Sequence, residues 1–304
     1  MCTKGMVIAM KKRILSVVLA AAAVLSLGAF LGSCSGSKIE IAVPNDTTNE
    51  ARALILLEQL GYIKLKENAG ITATVMDIED NPYDIKIREV EAAQLPNVLK
   101  DVDYAVINSN YAIEAGLNPS NDSLGLEGSY SAYGNILAVK EGNESSDKIK
   151  ALAAALESKK TADFIKTKYD GQILSVVDNP GDGYDESVDY AALAGTTITV
   201  AASPAPHAEI LAVAKEILAE KDISLNVQEY TDYIVPNNVV EDGTIDANYF
   251  QHKPYLDDFN AENGTHLVSV ASIHVEPMGI YGGKQTSLDA INSGKQTSLD
   301  TINK

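Results

Sequence analysis

The stretch KIEIAVPNDTTNEARALILLEQLG, residues 38–61, decides the fold. Ile39, Ile41 and Val43 alternate as a strand that ends at Pro44. Thr47 and Glu50 then stand at capping-box spacing ahead of Ala51, Leu54, Ile55, Leu57 and Leu60 at helical period, and Gly61 stops the run. Strand, loop and amphipathic helix in direct succession are the unit of an α/β fold.

Working outward, the same rhythm recurs. Strands are expected at 85–90 and 104–107, the latter followed by Asn108-Ser109-Asn110 and a short helix to Gly116. A short strand follows at 136–139, and residues 149–169 read as one helix with Leu152, Leu156, Phe164 and Ile165 on its apolar face. Residues 178–189 are acidic, contain Pro180, Gly181 and Gly183 and lack periodicity, which marks a linker. Beyond it come strands at 197–201, 225–230, 245–250 and 267–275, with helices at 206–220, 235–241 and 254–263. The C-terminus holds a direct repeat, GKQTSLDAINS at 283–293 and GKQTSLDTINK at 294–304, too short for a solenoid.

The 304 residues are 45% hydrophobic and 22% charged, enough for one large domain or two lobes and incompatible with bulk disorder. A net charge of −18 excludes a nucleic-acid backbone as partner. The first 33 residues carry Lys4, Lys11, Lys12 and Arg13 and no acid, and Ile14 to Phe30 is an unbroken apolar and small-residue run. That is the pattern of an export signal; nothing comparable follows, so the remainder is expected to be soluble. Leu31-Gly32-Ser33-Cys34 looks like a bacterial lipobox, with Cys34 the lipidated first residue of the mature chain and Ser35-Gly36-Ser37 its tether; the alternative is an ordinary signal with a coincidental cysteine. Cys2 lies in the discarded segment, leaving no partner for an internal disulfide.

No nucleophile elbow, complete phosphate loop or zinc-type spacing is present, and His207, His252, His266 and His274 are scattered. The expectation is therefore no enzyme, no catalytic residue, no metal and no cofactor. Asp178, Asp182, Gly183, Glu186 and Asp189 imitate part of a calcium loop, but Pro180 occupies a ligand position, so a solvated acidic linker is preferred. Arg52, read as lying in the first turn of its helix, either shares an anion with the helix N-terminus or is an ordinary ion-paired arginine. Tyr230, Tyr233, Tyr249, Phe250, Tyr255 and Phe259, with His252 among them, suit either a core or an apolar or thioether ligand.

Six blocks carry a resemblance: VPNDTTNEARAL at 43–54, EAAQLP at 91–96, VINSNYA at 106–112, ASPAPHAEI at 202–210, DANYFQHKPY at 246–255 and HVEPMG at 274–279. Together they resemble the NlpA family of methionine-binding lipoproteins. The resemblance implies a two-lobed periplasmic-binding-protein-like α/β fold, with the ligand cleft between lobes, that delivers an amino acid to the permease and ATPase subunits of an ABC importer from a lipid anchor on the extracytoplasmic face of the cell membrane. Its ligand would be methionine or another small amino acid or derivative.

The order of the blocks departs from the family. There the Pro-His-Ala-Glu block comes first after the anchor, and the Pro-Met-Gly block runs into the Pro-Asn-Asp block; here the second half comes first, as in a circular permutation. A rearranged member that binds without coupling to transport is the other reading. The expected organisation is a signal at 1–33, lipidated cysteine and tether at 34–37, a lobe at 38–130, a return segment packing on the other lobe at 131–177, the linker at 178–189, a second lobe at 190–275 and a crossover with duplicated tail at 276–304.

The resemblance implies that Arg52 binds the ligand carboxylate and that Asn108 and Asn110 lie near its amino and carboxyl groups. Tyr233, Tyr249, Phe250, His252 and Tyr255 would surround its side chain. Asn248 and Glu276 would stand behind them, and Glu50 would serve only as a cap.

Overall fold

A computed structural model describes residues 38–128 and 133–293, which form one compact unit from Lys38 onward. The signal, Cys34, the tether and the second repeat copy lie outside the described residues. Among the described residues no helix is long and apolar enough to cross a membrane.

The strands, in chain order, are β1 (Glu40–Pro44), β2 (Lys64–Leu65), β3 (Ile78–Asp80), β4 (Lys86–Val90), β5 (Tyr104–Ile107), β6 (Ser123–Leu126), β7 (Gly134–Lys140), β8 (Leu174–Ser175), β9 (Thr197–Ala202), β10 (Ser224–Glu229), β11 (Ala247–His252), β12 (Leu267–Val275) and β13 (Gly279–Gly282). One lobe is built on the sheet β4-β1-β5-β13-β6 and the other on β10-β9-β11-β7-β12-β8. In the first, β1 runs parallel to β4 and β5 while β13 is antiparallel to β5 and β6. In the second, β10, β9 and β11 are parallel and β7, β12 and β8 add antiparallel. This is the two-lobed α/β architecture that the sequence implies.

Both faces of β1 are covered, which explains its nearly continuous apolar run. Ile41 and Val43 pack into one cluster with Leu54 and Leu57, and Ala42 faces another around Leu95 and Ile107. The largest cluster lies in the second lobe, where Leu137, Ile198 and Val200 from strands meet Leu152, Ile210 and Leu218 from helices.

The chain passes between lobes twice, from β6 to β7 and from β12 to β13, so Glu127 lies on the first crossover and residues 276–278 form the second. Glu127 ties them together: its amide donates to the Met278 carbonyl at 2.8 Å, and its carboxylate accepts from the Met278 amide at 3.1 Å.

Several local expectations are corrected. The helix at Thr47–Gln59 is capped by Asp46, whose Oδ1 accepts from the Asn49 amide at 3.1 Å; Thr47 and Glu50 do not form the box. An aspartate at the preceding position is the stronger cap, and Glu50 instead accepts from the Val75 amide at 2.8 Å. Residues 149–169 form two helices, Asp147–Leu156 and Lys159–Tyr169, because Ser158 accepts from the Thr161 amide and starts a second helix. The acidic stretch 178–189 packs on its lobe: Gly181 exchanges backbone hydrogen bonds with Glu157 and Lys159, and Val188 is buried.

Candidate functional site

Between the lobes lies a cavity with about 350 Å3 of atom-free space counted to its mouth. Asn49, Arg52, Asn108, Ser109 and Asn110 line it from one lobe, Asn135, Tyr233, Phe250, Gln251, His252 and Tyr255 from the other, and Glu276 from a crossover. A larger cavity of about 950 Å3, counted to its mouth, shares Tyr233 and Tyr255 and is edged by Asp46, Glu91, Asp232, Asp258 and Glu262.

Arg52 lies in the second turn of its helix, not the first, so it does not act together with the free helix N-terminus. Asn49, three residues earlier, shares its face. The arginine is 5% exposed and spans both crossovers. Its Nε donates to the Glu127 carboxylate at 2.9 and 2.8 Å and its Nη2 to the Glu276 carbonyl at 2.7 Å. The guanidinium carbon sits 4.4 Å from the centre of the Tyr133 ring.

Asn108 and Asn110 follow directly from β5, where the chain turns into the helix Ser109–Glu114. Asn108 Nδ2 donates to Asn49 Oδ1 at 2.8 Å, and Asn110 Oδ1 accepts from the Tyr233 hydroxyl at 2.7 Å. Their other ends, Asn108 Oδ1 and Asn110 Nδ2, are buried without a partner. A buried acceptor and a buried donor left open in one cavity are costly unless a ligand satisfies them, about 1–3 kcal/mol each.

The opposite wall is aromatic. Tyr233 lies 5.7 Å from both Phe250 and Tyr255, centre to centre, and the Tyr255 hydroxyl donates to the Tyr233 carbonyl at 3.0 Å. His252 caps the helix Lys253–Asn263 by accepting the Tyr255 amide on Nδ1 at 3.1 Å, which leaves the ring proton on Nε2. Burial, with Arg52 nearby, holds its pKa well below the ordinary value, so the ring is neutral.

Tyr249 is a correction: it does not line the cavity. Phe250 lines the cavity while Tyr249, its neighbour on β11, is buried in the second lobe's core, its hydroxyl against His274 Nδ1. Asn248 is likewise enclosed, donating to Asn237 Oδ1 at 2.9 Å and to the Pro236 carbonyl at 3.1 Å.

Two of the scattered histidines also come together. Glu276 Oε1 lies 3.1 Å from His207 Nε2 and 2.8 Å from His274 Nε2, and Asn135 Oδ1 lies 3.0 Å from His207 Nε2. One ligand atom from each of His207, His274 and Glu276 lies within 4.8 Å of the others, as in a three-ligand metal cluster, and His207 Nδ1 is buried without a partner. Burial, reinforced by His274, pushes His207 down to about 3 and keeps it neutral. Burial works against ionisation of Glu276, yet His207, His274 and Arg52 together hold its pKa below the ordinary carboxylate value.

Of the residues missed, Asn49 was legible as the position one turn before Arg52. Glu127, Tyr133 and Asn135 carried no local signal, since Glu127 and Tyr133 flank the crossover between β6 and β7 and Asn135 reaches the site from the start of β7.

The sequence pattern of the NlpA lipoprotein family matches residues 36–177 and 198–304. The chain is 47% identical over 131 residues to membrane lipoprotein TpN32 of Treponema pallidum (strain Nichols), covering 43% of this chain and 49% of that one. It is 39% identical over 134 residues to the D-methionine-binding lipoprotein MetQ of Escherichia coli (strain K12), again 43% of this chain and 49% of the relative. Among solved structures, a nutrient binding protein from Burkholderia cenocepacia bound to methionine is 47% identical, covers 44% of this chain and 57% of that chain, and superposes with a TM-score of 0.43. The chain thus spans about half the length of the curated relatives it matches.

Proposed function

Because the chain belongs to the NlpA lipoprotein family, we propose that it is a lipid-anchored, extracytoplasmic binding protein that captures methionine and passes it unchanged to an ABC importer. The observation that carries this reading is the division of the cavity. One side offers Arg52 with the open Asn108 Oδ1 and Asn110 Nδ2, a cation, an acceptor and a donor suited to a zwitterion. The other offers the Tyr233, Phe250 and Tyr255 rings, suited to a thioether. The binding named for the Escherichia coli relative supports methionine as the ligand.

In this reading Arg52 holds the carboxylate, the two asparagines take the amino and carboxyl groups, His252 directs its Nε2 proton to Asn49 Oδ1 at the cavity wall, and the rings hold the side chain. Closure of the lobes removes water and strengthens each polar contact. Tyr249 acts from behind, through His274. Cys34 supplies the anchor, and the permease and ATPase are the partners that receive the ligand.

We read the chain order as a circular permutation. It accounts for a family pattern found in two separate segments and for relatives that align over half their length. Such rearrangement is tolerated when new ends fall in exposed connections.

The experiment is to denature purified protein and identify the released small molecule by mass spectrometry. Methionine at near one equivalent is expected. Release of a different amino acid would refute the methionine assignment, and a folded protein that neither releases nor takes up any amino acid would refute the binding role.

A further inference from the structure

Glu276 stands out once the enclosed charges are paired off. Arg52 is neutralised by Glu127, which grips it at 2.9 and 2.8 Å. Glu276 touches Arg52 only through its backbone carbonyl. Its Oε1 is hydrogen-bonded to His274 Nε2 at 2.8 Å and lies 3.1 Å from His207 Nε2, which is hydrogen-bonded to Asn135 Oδ1. His207 is neutral, kept so by burial. The Tyr249 phenol, whose pKa burial raises well above its ordinary value, lies against His274 Nδ1, and His274 Nε2 faces Glu276 at 2.8 Å. Neutral N–H donors stabilise a carboxylate but do not balance its charge.

Among the described residues no lysine or arginine side chain is paired with the Glu276 carboxylate, which is enclosed with the two imidazoles. Its open side is toward the cavity: the Glu276 side chain keeps 7% exposure, while those of His207 and His274 behind it keep 1% and 0%. It lines the same cavity as the unpartnered acceptor Asn108 Oδ1. A primary ammonium brings a positive charge and three donors, and so answers both features.

We propose that Glu276 receives the α-ammonium group of the bound amino acid and is the residue that selects amino acids over their hydroxy and desamino analogues. This inference rests on the amino-acid reading of the cavity given above. His207 and His274 act as positioning residues that fix which carboxylate oxygen is spent inward and which side faces the ligand. An analogue without the ammonium leaves a buried carboxylate and a buried amide oxygen unpaired, and sites built to bond a ligand N–H reject such analogues strongly.

The test is calorimetric titration of L-methionine and its 2-hydroxy analogue into the compact unit from Lys38 onward, wild type and Glu276→Gln. Wild type is expected to prefer methionine by at least about 100-fold, and E276Q by less than about tenfold, with most of the loss on methionine. Equal weakening of both compounds would overturn the proposal, because it would mean that the Glu276 carboxylate supports the site as a whole and does not act on the ammonium. No binding of methionine by folded wild type would instead overturn the amino-acid reading, and this inference with it. A second measurement needs no variant: the 15N shift of bound 15N-methionine followed with pH. The bound ammonium should lose its proton at a higher pH than free methionine, and loss at the same or a lower pH would overturn the proposal.

Discussion

Replacing Arg52 by lysine keeps the charge and removes the fork. In the structure the guanidinium reaches Glu127 through Nε and the Glu276 carbonyl through Nη2, and lies 4.4 Å from the Tyr133 ring centre. A lysine ammonium is a point charge that cannot serve both crossovers and present a flat edge to a carboxylate. Hydrogen bonds to charged groups contribute about 1.5–3 kcal/mol each. With one contact recovered by lysine and one or two lost, R52K should weaken methionine binding by about 1.5–6 kcal/mol, or at least about tenfold at 1.4 kcal/mol per decade. The assay is calorimetric titration of wild type and variant, with urea melts confirming that both are folded. A folded R52K that binds methionine within about threefold of wild type would refute the assignment of the carboxylate to Arg52.

Three further outcomes are expected. Phe250→Ala should lower stability by about 3–5 kcal/mol in a urea melt, the range for a buried phenylalanine, and should weaken methionine binding far more than alanine binding; equal losses for both ligands would exclude Phe250 from the side-chain site. Glu114, at the end of the Ser109–Glu114 helix, is solvent-exposed, yet partial desolvation raises its pKa from 4.5 to about 7. Because the folded state then holds a proton that the unfolded chain releases, this residue makes stability fall as pH rises from about 4.5 to 7, and Glu114→Gln should flatten that slope in melts at pH 5 and 7.5. Gly283 leaves no room for a side chain, since a Cβ there would lie 2.0 Å from the Leu99 carbonyl oxygen and 2.4 Å from that of Val102. Gly283→Ala should therefore cost at least about 1–3 kcal/mol, as overpacking does, and a melt unchanged from wild type would contradict that packing.

What the sequence makes legible is what is local. The strand at Glu40–Pro44 and the helix after it are written in alternation, a proline and a closing glycine, and Arg52, Phe250 and His252 sit where short blocks place them. The strands β6 and β13 were not legible: SLGL and GIYG are short and glycine-containing, and they are strands because each pairs with a neighbour far along the chain. The helix break at Ser158 turned on one buried hydroxyl that could equally have pointed to solvent. The polar heart of the site was hidden for the same reason of distance: Arg52 meets Glu127 across 75 residues and the Glu276 carbonyl across 224. Tyr249 was misassigned because a motif names residues without saying which face of the strand each one takes.

The central claim, that the cleft of this chain is an assembled amino-acid site, is tested most directly by titrating L-methionine into protein that has been unfolded and refolded to strip any bound ligand. Saturable one-to-one binding with heat, undiminished after refolding, is the predicted result. A refolded sample with native circular dichroism and a cooperative melt that gives no heat with methionine or with any other amino acid would contradict the account.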